Sequence, residues 1–147
     1  MNIENLRISK LRDYLFTVIN EIVDDERYQI NANMLSKDIN NYSLDKIPTS
    51  SMVERWITGL EIHKDIFSFR SRMAYSQDVM NNLANVGFFE TFESIIYNKN
   101  NEGELPDIDG IEKIECLNCG SFRDNDTNTC EFQIQLQITY TYIDKEV

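Results

Sequence analysis

The fold of this chain is decided by the stretch CEFQIQLQITYTYI, residues 130–143. Apolar and polar side chains alternate along it, which is the two-residue period of a β-strand with unlike faces. Gln133, Gln135 and Gln137 share the polar face with two threonines. We predict that the apolar face joins the core, while the polar face is solvated or contacts a polar neighbour.

A second strand is indicated at residues 67–75, which alternate in the same way. The apolar stretch 52–62 predicts its antiparallel partner, with a bulge or bend at Gly59. The polar triplet 63–65 is expected to form the turn of this hairpin. Trp56 is assigned to the core, with a contact to another protein as the alternative.

Two helices and a second hairpin complete the predicted elements. Apolar residues at helical spacing predict helices at about 5–24 and 77–98. A strand at 111–117 is expected to pair with the alternating stretch around a polar turn at 120–129. Gly87, inside the second helix, is interpreted as a point of close packing against the sheet.

The segment between the first helix and the first hairpin is less regular. Alternation at about 28–32 indicates one further short strand, and 36–50 is predicted to be a loop or arm. Ile39, Tyr42, Leu44 and Ile47 are its apolar anchors. Ordering of the arm on a neighbouring protein is one expectation, and an ordinary monomer is compatible with the same residues. Together these elements predict one α+β domain over residues 1–147: an N-terminal helix and an antiparallel sheet of two hairpins, with one covering helix between them.

The charge balance argues against a protein that grips nucleic acid. Acids outnumber bases by 25 to 14, which gives a formal net charge of −11. Binding to phosphates needs clustered cations, and Arg70 and Arg72 are the nearest approach to a cluster. These two arginines are candidate interface residues. Phe89 joins them because it lies off the apolar stripe of its helix and is predicted to be exposed. No export signal or membrane-spanning stretch is visible, so we expect synthesis in the cytoplasm.

The side chains that most often carry chemistry are few. Cys116 and Cys119 form a C-x-x-C, but the remaining candidate metal ligands are Cys130 and His63. We interpret the cysteines as thiols, with Cys119 and Cys130 placed to face each other across the second hairpin. His63 is interpreted as a solvated turn residue. The sequence therefore predicts no catalytic residue, no metal site and no cofactor.

Several short stretches together resemble one class of virion protein. They are YSLDKIP at 42–48, FSFRSR at 67–72, YS at 75–76, NN at 81–82, FF at 88–89, LP at 105–106 and FQIQL at 132–136. This pattern, over residues ~42–142, resembles small proteins from the tail-gene region of phages and prophages of low-GC Gram-positive bacteria. Such proteins are often labelled minor capsid proteins and are similar to tail terminator, or tail-completion, proteins.

The resemblance implies a structural function without catalysis. It implies a homo-oligomeric ring of six copies, in a phage or tail-like particle assembled in the host cytoplasm. The ring would cap the tail tube, end its polymerisation, and contact a neck protein and, in contractile tails, the sheath. The alternatives are another head–tail connector, a cytoplasmic module that binds a basic partner, or, with least support, a metal- or thiol-dependent enzyme.

Overall fold

A computed structural model describes residues 2–22, 30–32, 41–49, 52–74, 79–124 and 129–143 of the chain. It contains a short 3-10 turn, two α-helices and six strands. Their bounds in chain order are Ile3–Asn5 (3-10), Arg7–Asn20 (α1), Ile30–Ala32 (β1), Asn41–Ile47 (β2), Met52–Arg55 (β3), Leu60–Ala74 (β4), Val79–Asn101 (α2), Ile111–Asp124 (β5) and Thr129–Ile143 (β6). The predicted α+β class is confirmed.

The sheet is built around a long ladder between β4 and β6. These strands pair antiparallel without interruption from Leu60–Ile143 to Ala74–Thr129. On the far side of β6, β5 pairs antiparallel with two register shifts. On the far side of β4, β2 pairs with 66–72 and β3 with 61–63. The short β1 pairs in parallel with β2. The sheet is therefore mixed, whereas an antiparallel sheet was predicted.

Helix α1 is held by burial rather than by capping. Leu11, Leu15, Val18 and Ile19 are fully buried at helical spacing, whereas no side chain caps the first turn after Leu6. Each of these apolar side chains contributes roughly 1.5–3 kcal/mol when it leaves water. The helix ends at Asn20, earlier than the predicted end, and residues 23–24 of the prediction lie outside the described part of the chain.

The core between the helices and the sheet contains a stack of aromatic rings. Phe69 of β4 lies parallel to Tyr42 of β2 and to Phe92 of α2, each with a centroid separation of 5.3 Å. The alternating apolar residues of β6 extend the same layer, with Ile134, Leu136 and Ile138 fully buried. The helices therefore cover one face of the sheet, which we term the core face.

Part of the predicted arm is a strand inside the sheet. Residues 41–47 form β2, which has β1 on one side and β4 on the other, so the prediction of a loop is wrong there. Tyr42 and Leu44 are buried on the core face because they alternate in phase with Phe69 of β4. The rest of the predicted arm, 36–40 and 50, lies outside the described residues.

The turn of the first hairpin lies earlier than predicted. The chain reverses at residues 56–59, where the Trp56 amide donates to the Leu60 carbonyl and the Gly59 amide donates to the Trp56 carbonyl. Gly59 therefore belongs to the turn and not to a bulge, and residues 63–65 lie within β4. Similarly, β5 continues to Asp124 through part of the predicted polar turn.

Gly87 of α2 and Gly110 of the loop that follows it differ in how closely the chain packs around them. A methyl group added at Gly87 would meet no atom within 4 Å, so the predicted close packing there is wrong. Beyond the helix, the Gly110 carbonyl accepts hydrogen bonds from the Thr141 amide at 2.9 Å and the Thr141 hydroxyl at 3.3 Å. These two bonds fasten the start of β5 to β6.

A polar clasp joins α1, α2 and the loop before β5. The Tyr14 hydroxyl donates to the Glu104 carbonyl at 3.0 Å, and burial, with the charges of Glu104 and Glu21, raises the pKa of Tyr14 to about 12. Burial alone would lower the pKa of Lys99. Hydrogen bonds from its ammonium to Glu104 and Glu21 outweigh this and raise the pKa above its ordinary value.

Candidate interaction surfaces

The sheet face opposite the core face, which we term the open face, carries polar side chains. Both described helices pack on the core face, as the contacts of Phe92 and of α1 show. The open face is formed by Ser43, Asp45 and Ile47 of β2, Ile62, Lys64, Ile66, Ser68, Arg70 and Arg72 of β4, Lys113 and Glu115 of β5, and Gln133, Gln135, Gln137, Thr139 and Thr141 of β6.

Six of the nine predicted interface residues meet on this face. Arg70 lies opposite Gln133, the next row contains Gln135, and the third contains Ile47 and Gln137. Arg72 occupies the row beyond Arg70. The alternation of β6 therefore placed the three glutamines together correctly, and the ladder with β4 brings the two arginines beside them.

The other three predicted interface residues belong to the core. Tyr42 and Leu44 are buried in β2, as described above. Phe89 is only 6% exposed, because its ring stacks on Phe132 of β6 at a centroid distance of 5.1 Å. All three side chains are buried in the described part of the chain, so the prediction that Phe89 is exposed is wrong.

Carboxylates neutralise the central arginine of the open face. The Arg70 guanidinium pairs through Nε with Asp45 Oδ2, and its Nη1 lies 3.2 Å from Glu131 Oε1. The Ser43 hydroxyl donates to the other Asp45 oxygen at 2.6 Å, which fixes that carboxylate. Arg70 is thus the centre of an ion-paired row across three strands and not part of a basic patch.

The open face keeps unused hydrogen-bonding capacity. The hydroxyls of Ser68 and Thr139 are buried beneath longer neighbours and have no hydrogen-bond partner among the described residues. Further along β6, the Gln137 amide donates to Glu115 Oε1 at 3.3 Å, and Lys113 lies 3.3 Å from the same oxygen. Since buried hydroxyls normally find partners, this face is suited to water or to a polar protein surface.

Two residues of the triplet misassigned to a turn, His63 and Asp65, form a cluster at one end of the core face, whereas Lys64 between them lies on the open face. Asp65 is buried, and its two oxygens accept from Arg7 at 3.1 Å and from the Tyr140 hydroxyl at 3.4 Å. His63 stacks on Tyr140 and lies 3.0 Å from Glu61, so it is not a solvated turn residue. Because both oxygens of Asp65 are engaged, we interpret the cluster as a clamp that holds α1 on the sheet.

The strand register separates the residues that a thiol site would need. Along the β5–β6 ladder, Cys119 pairs with Ile134 and Cys130 pairs with Arg123, so the two cysteines lie four positions apart rather than facing each other. The C-x-x-C lies at a register shift inside β5 and not at a helix N-terminus. Within the described part of the chain, no three potential ligands group together to hold a metal ion.

An apolar hairpin tip is exposed where β3 turns into β4. Ile57 is fully exposed, and Trp56 and Val53 are exposed by half or more. The assignment of Trp56 to the core is wrong, because the hairpin reverses at this residue and carries its side chain away from the sheet. The sequence signal for a turn at this place was Gly59, which follows Trp56, Ile57 and Thr58 directly.

A groove lies on the other side of the molecule, between α2 and the edge strand β5. Its volume is about 870 Å³. Ile96 and Ile114 are buried at its floor, and Tyr97, two-thirds exposed, stands in its wall. The remaining lining is mostly polar and includes Glu90, Glu93, Lys113, Glu115 and Cys116. Sequence reasoning missed this groove because it depends on how α2 crosses β5.

Comparison with known proteins adds no family assignment. The sequence matches no protein-family profile and shows no significant similarity to any curated protein. Neither of the described helices is long and apolar enough to cross a membrane.

Proposed function

We propose that this protein is a tail terminator subunit of a phage or tail-like particle. A ring of copies, six as the resemblance to that class implies, would cap the tail tube, end its polymerisation and join the tail to the neck. The proposal combines that resemblance with one structural observation, namely the open polar face of the sheet. No catalytic step is included in this function.

The open face supports the proposal through its charge and its hydration. A channel that DNA passes through must not bind phosphates, and such binding depends on cations that can replace counterions. Two of the four cations on the open face are neutralised: Arg70 is engaged by two carboxylates, and Lys113 lies beside Glu115. Lys64 and Arg72 lie on the same face. Glutamine and threonine side chains cover much of the remainder. We therefore assign the open face to the channel lining and the helices to the outside of the ring.

The ring itself is tested with tail tubes assembled from the tube protein of the same phage or tail-like particle. We expect electron microscopy to show a ring at one end of each tube, and the tubes to stop growing when the protein is added. Native mass spectrometry of the ring should give six times the chain mass of 17.3 kDa. Tubes that continue to grow, with the protein remaining monomeric, would contradict the proposal. A ring found on the neck but not on the tube would indicate another connector.

The channel assignment is tested by adding cations to the open face. A variant with Gln133→Lys, Gln135→Lys and Gln137→Lys should bind DNA that the unmodified protein does not bind, with a salt slope of roughly −2 to −3 for three phosphate contacts. The matched control carries Glu4→Gln, Glu102→Gln and Asp109→Asn at exposed positions away from this face. Both variants raise the formal charge from −11 by three, to −8. Equal DNA binding by the two variants would contradict the assignment.

A further inference from the structure

The strand β5 lies at one end of the sheet. Within the described part of the chain it is hydrogen-bonded to β6, and no strand pairs with its other side. A strand in this position presents unpaired N–H and C=O groups, to which a strand of another molecule can add. With 14 residues, β5 is long enough for such an addition. Its outward backbone groups therefore need a partner within the chain if strand addition is to be avoided.

The first half of this edge has one regular stretch, which is centred near Ile114. The register between β5 and β6 shifts between Ile111 and Lys113, and again between Cys116 and Cys119. Register shifts bend a strand and interrupt its pairing. A strand added to the first half of β5 would therefore have to use the outward backbone groups of residues 113–116.

The side chain of Asn100 occupies the donor at the centre of that stretch. Its Oδ1 accepts from the Ile114 amide at 3.1 Å, in a partly buried contact. In an antiparallel strand the N–H and C=O of one residue point to the same side, so the Ile114 carbonyl also points away from β6. Asn100 belongs to the last turn of α2, which thus covers the residue that an added strand would need.

A helix side chain also reaches the strand at the other end of the sheet. Arg12 of α1 donates through Nε to the Ile30 carbonyl of β1 at 2.7 Å, and β1 itself has only three residues. Short edge strands and cover by a helix are two of the ways in which proteins prevent strand addition. Each described helix therefore supplies a polar side chain to the main chain of one end strand.

We propose that Asn100 is an edge guard, a side chain that keeps residues 113–116 of β5 from pairing with β5 of a second copy. Two identical edge strands can pair antiparallel about a two-fold axis, because each then satisfies the donors and acceptors of the other. Loss of the Asn100 side chain leaves the Ile114 N–H without its acceptor, and pairing with a second copy would supply a new one.

The edge guard is tested with Asn100→Ala. At low protein concentration the Ile114 amide should exchange with solvent about 10-fold faster than in the unmodified protein, because its acceptor is gone. At higher concentration, light scattering should give a larger mass than that of the unmodified protein, and exchange along 113–116 should slow again. High salt should strengthen this association, since it screens the repulsion between chains of net charge −11.

Matched variants separate the lost hydrogen bond from other effects. Asn98→Ala makes the same change at an exposed asparagine of the same helix, and should behave like the unmodified protein. Asn100→Asp keeps an acceptor oxygen and should not increase the mass. Asn98→Asp combined with Asn100→Ala has the same charge as Asn100→Asp but no acceptor, and should associate.

The edge guard is wrong if Asn100→Ala has the same mass as Asn98→Ala at every concentration. It is also wrong if Asn100→Ala associates while exchange along 113–116 stays fast, because the contact then lies elsewhere, or if Asn100→Asp associates equally. Should Asn100→Ala fail to fold, Asn100→Ser takes its place, since the serine hydroxyl is too short to reach the acceptor position. These measurements need no tail tubes, so the edge guard and the proposed ring can fail separately.

Discussion

Replacing Gly110 with alanine should loosen the attachment of β5 far more than the same change at Gly103. Both glycines have left-handed backbones, with φ values of 74° and 76°. A Cβ at Gly103 would meet nothing within 4 Å, whereas a Cβ at Gly110 would lie 2.3 Å from the Thr141 carbonyl oxygen. The two positions therefore share one conformational cost and differ in the close approach to β6.

The expected magnitudes follow from that comparison. A left-handed conformation costs a residue with a Cβ about 1–2 kcal/mol, and the restricted unfolded chain returns about 0.4–1 kcal/mol. Gly103→Ala should thus lower the free energy of unfolding by about 1 kcal/mol. At Gly110 the backbone must also move away from Thr141, which weakens two hydrogen bonds worth about 0.5–1.5 kcal/mol each. Gly110→Ala should therefore cost about 2–4 kcal/mol.

Urea denaturation followed by circular dichroism measures both values. The difference between the two variants isolates the close approach, because the conformational cost is common to both. A difference of at least about 1 kcal/mol is expected, with an unchanged slope against urea concentration for Gly103→Ala. Equal stabilities, within about 0.5 kcal/mol, would show that the start of β5 is not pinned to β6 as described.

Two further predictions concern buried polar groups. Asp65→Ala should lower the free energy of unfolding by about 1–3 kcal/mol, because it removes the acceptor for Arg7 and the Tyr140 hydroxyl. Asp107→Ala, which removes a highly exposed ion pair, should change the free energy of unfolding little. Equal effects of the two substitutions in urea denaturation would refute the clamp. The pKa of Tyr14 is about 12 in the folded chain and near 10 in the unfolded chain. The protonated hydroxyl therefore contributes its full stability below about pH 10, and this contribution is lost as the pH rises towards about 12. The unmodified protein should therefore lose more stability than Tyr14→Phe in denaturation curves taken between pH 10 and 12, and parallel losses would contradict the assignment.

The sequence predicted elements whose pattern is local and missed those that depend on partners. The alternation of β6 and the helical spacing in α1 identified both elements, because one face of each is buried against the rest of the chain. Residues 41–47 were assigned to a loop because Asn, Ser, Asp and Lys dilute the alternation of Tyr42 and Leu44. Pairing with β4 turns the same residues into a strand, and strand preference depends strongly on such context.

For the candidate surfaces, too, the sequence predicted what depends on a local pattern and missed what depends on contacts distant in sequence. The three glutamines of the open face followed from the period of β6, while Phe89 was assigned to the surface from helical spacing alone. That assignment failed because Phe132 of β6 covers the side of α2 on which Phe89 lies. The tip at Trp56 was missed for a related reason. The polar residues at 63–65 indicated a turn, and their true partners, Arg7 and Tyr140, are distant in sequence.

The position of β6 has a consequence for how the protein is made. It is the last described strand, yet it lies between β4 and β5, and its pairs with β4 join residues about 70 positions apart. While the ribosome is still adding residues 129–143, β4 and β5 have no strand between them, and their backbone groups are open to pairing with other nascent chains. We expect the sheet to form slowly, because β4 and β5 cannot be joined until β6 is present, so that high expression at elevated temperature would favour aggregates over native protein.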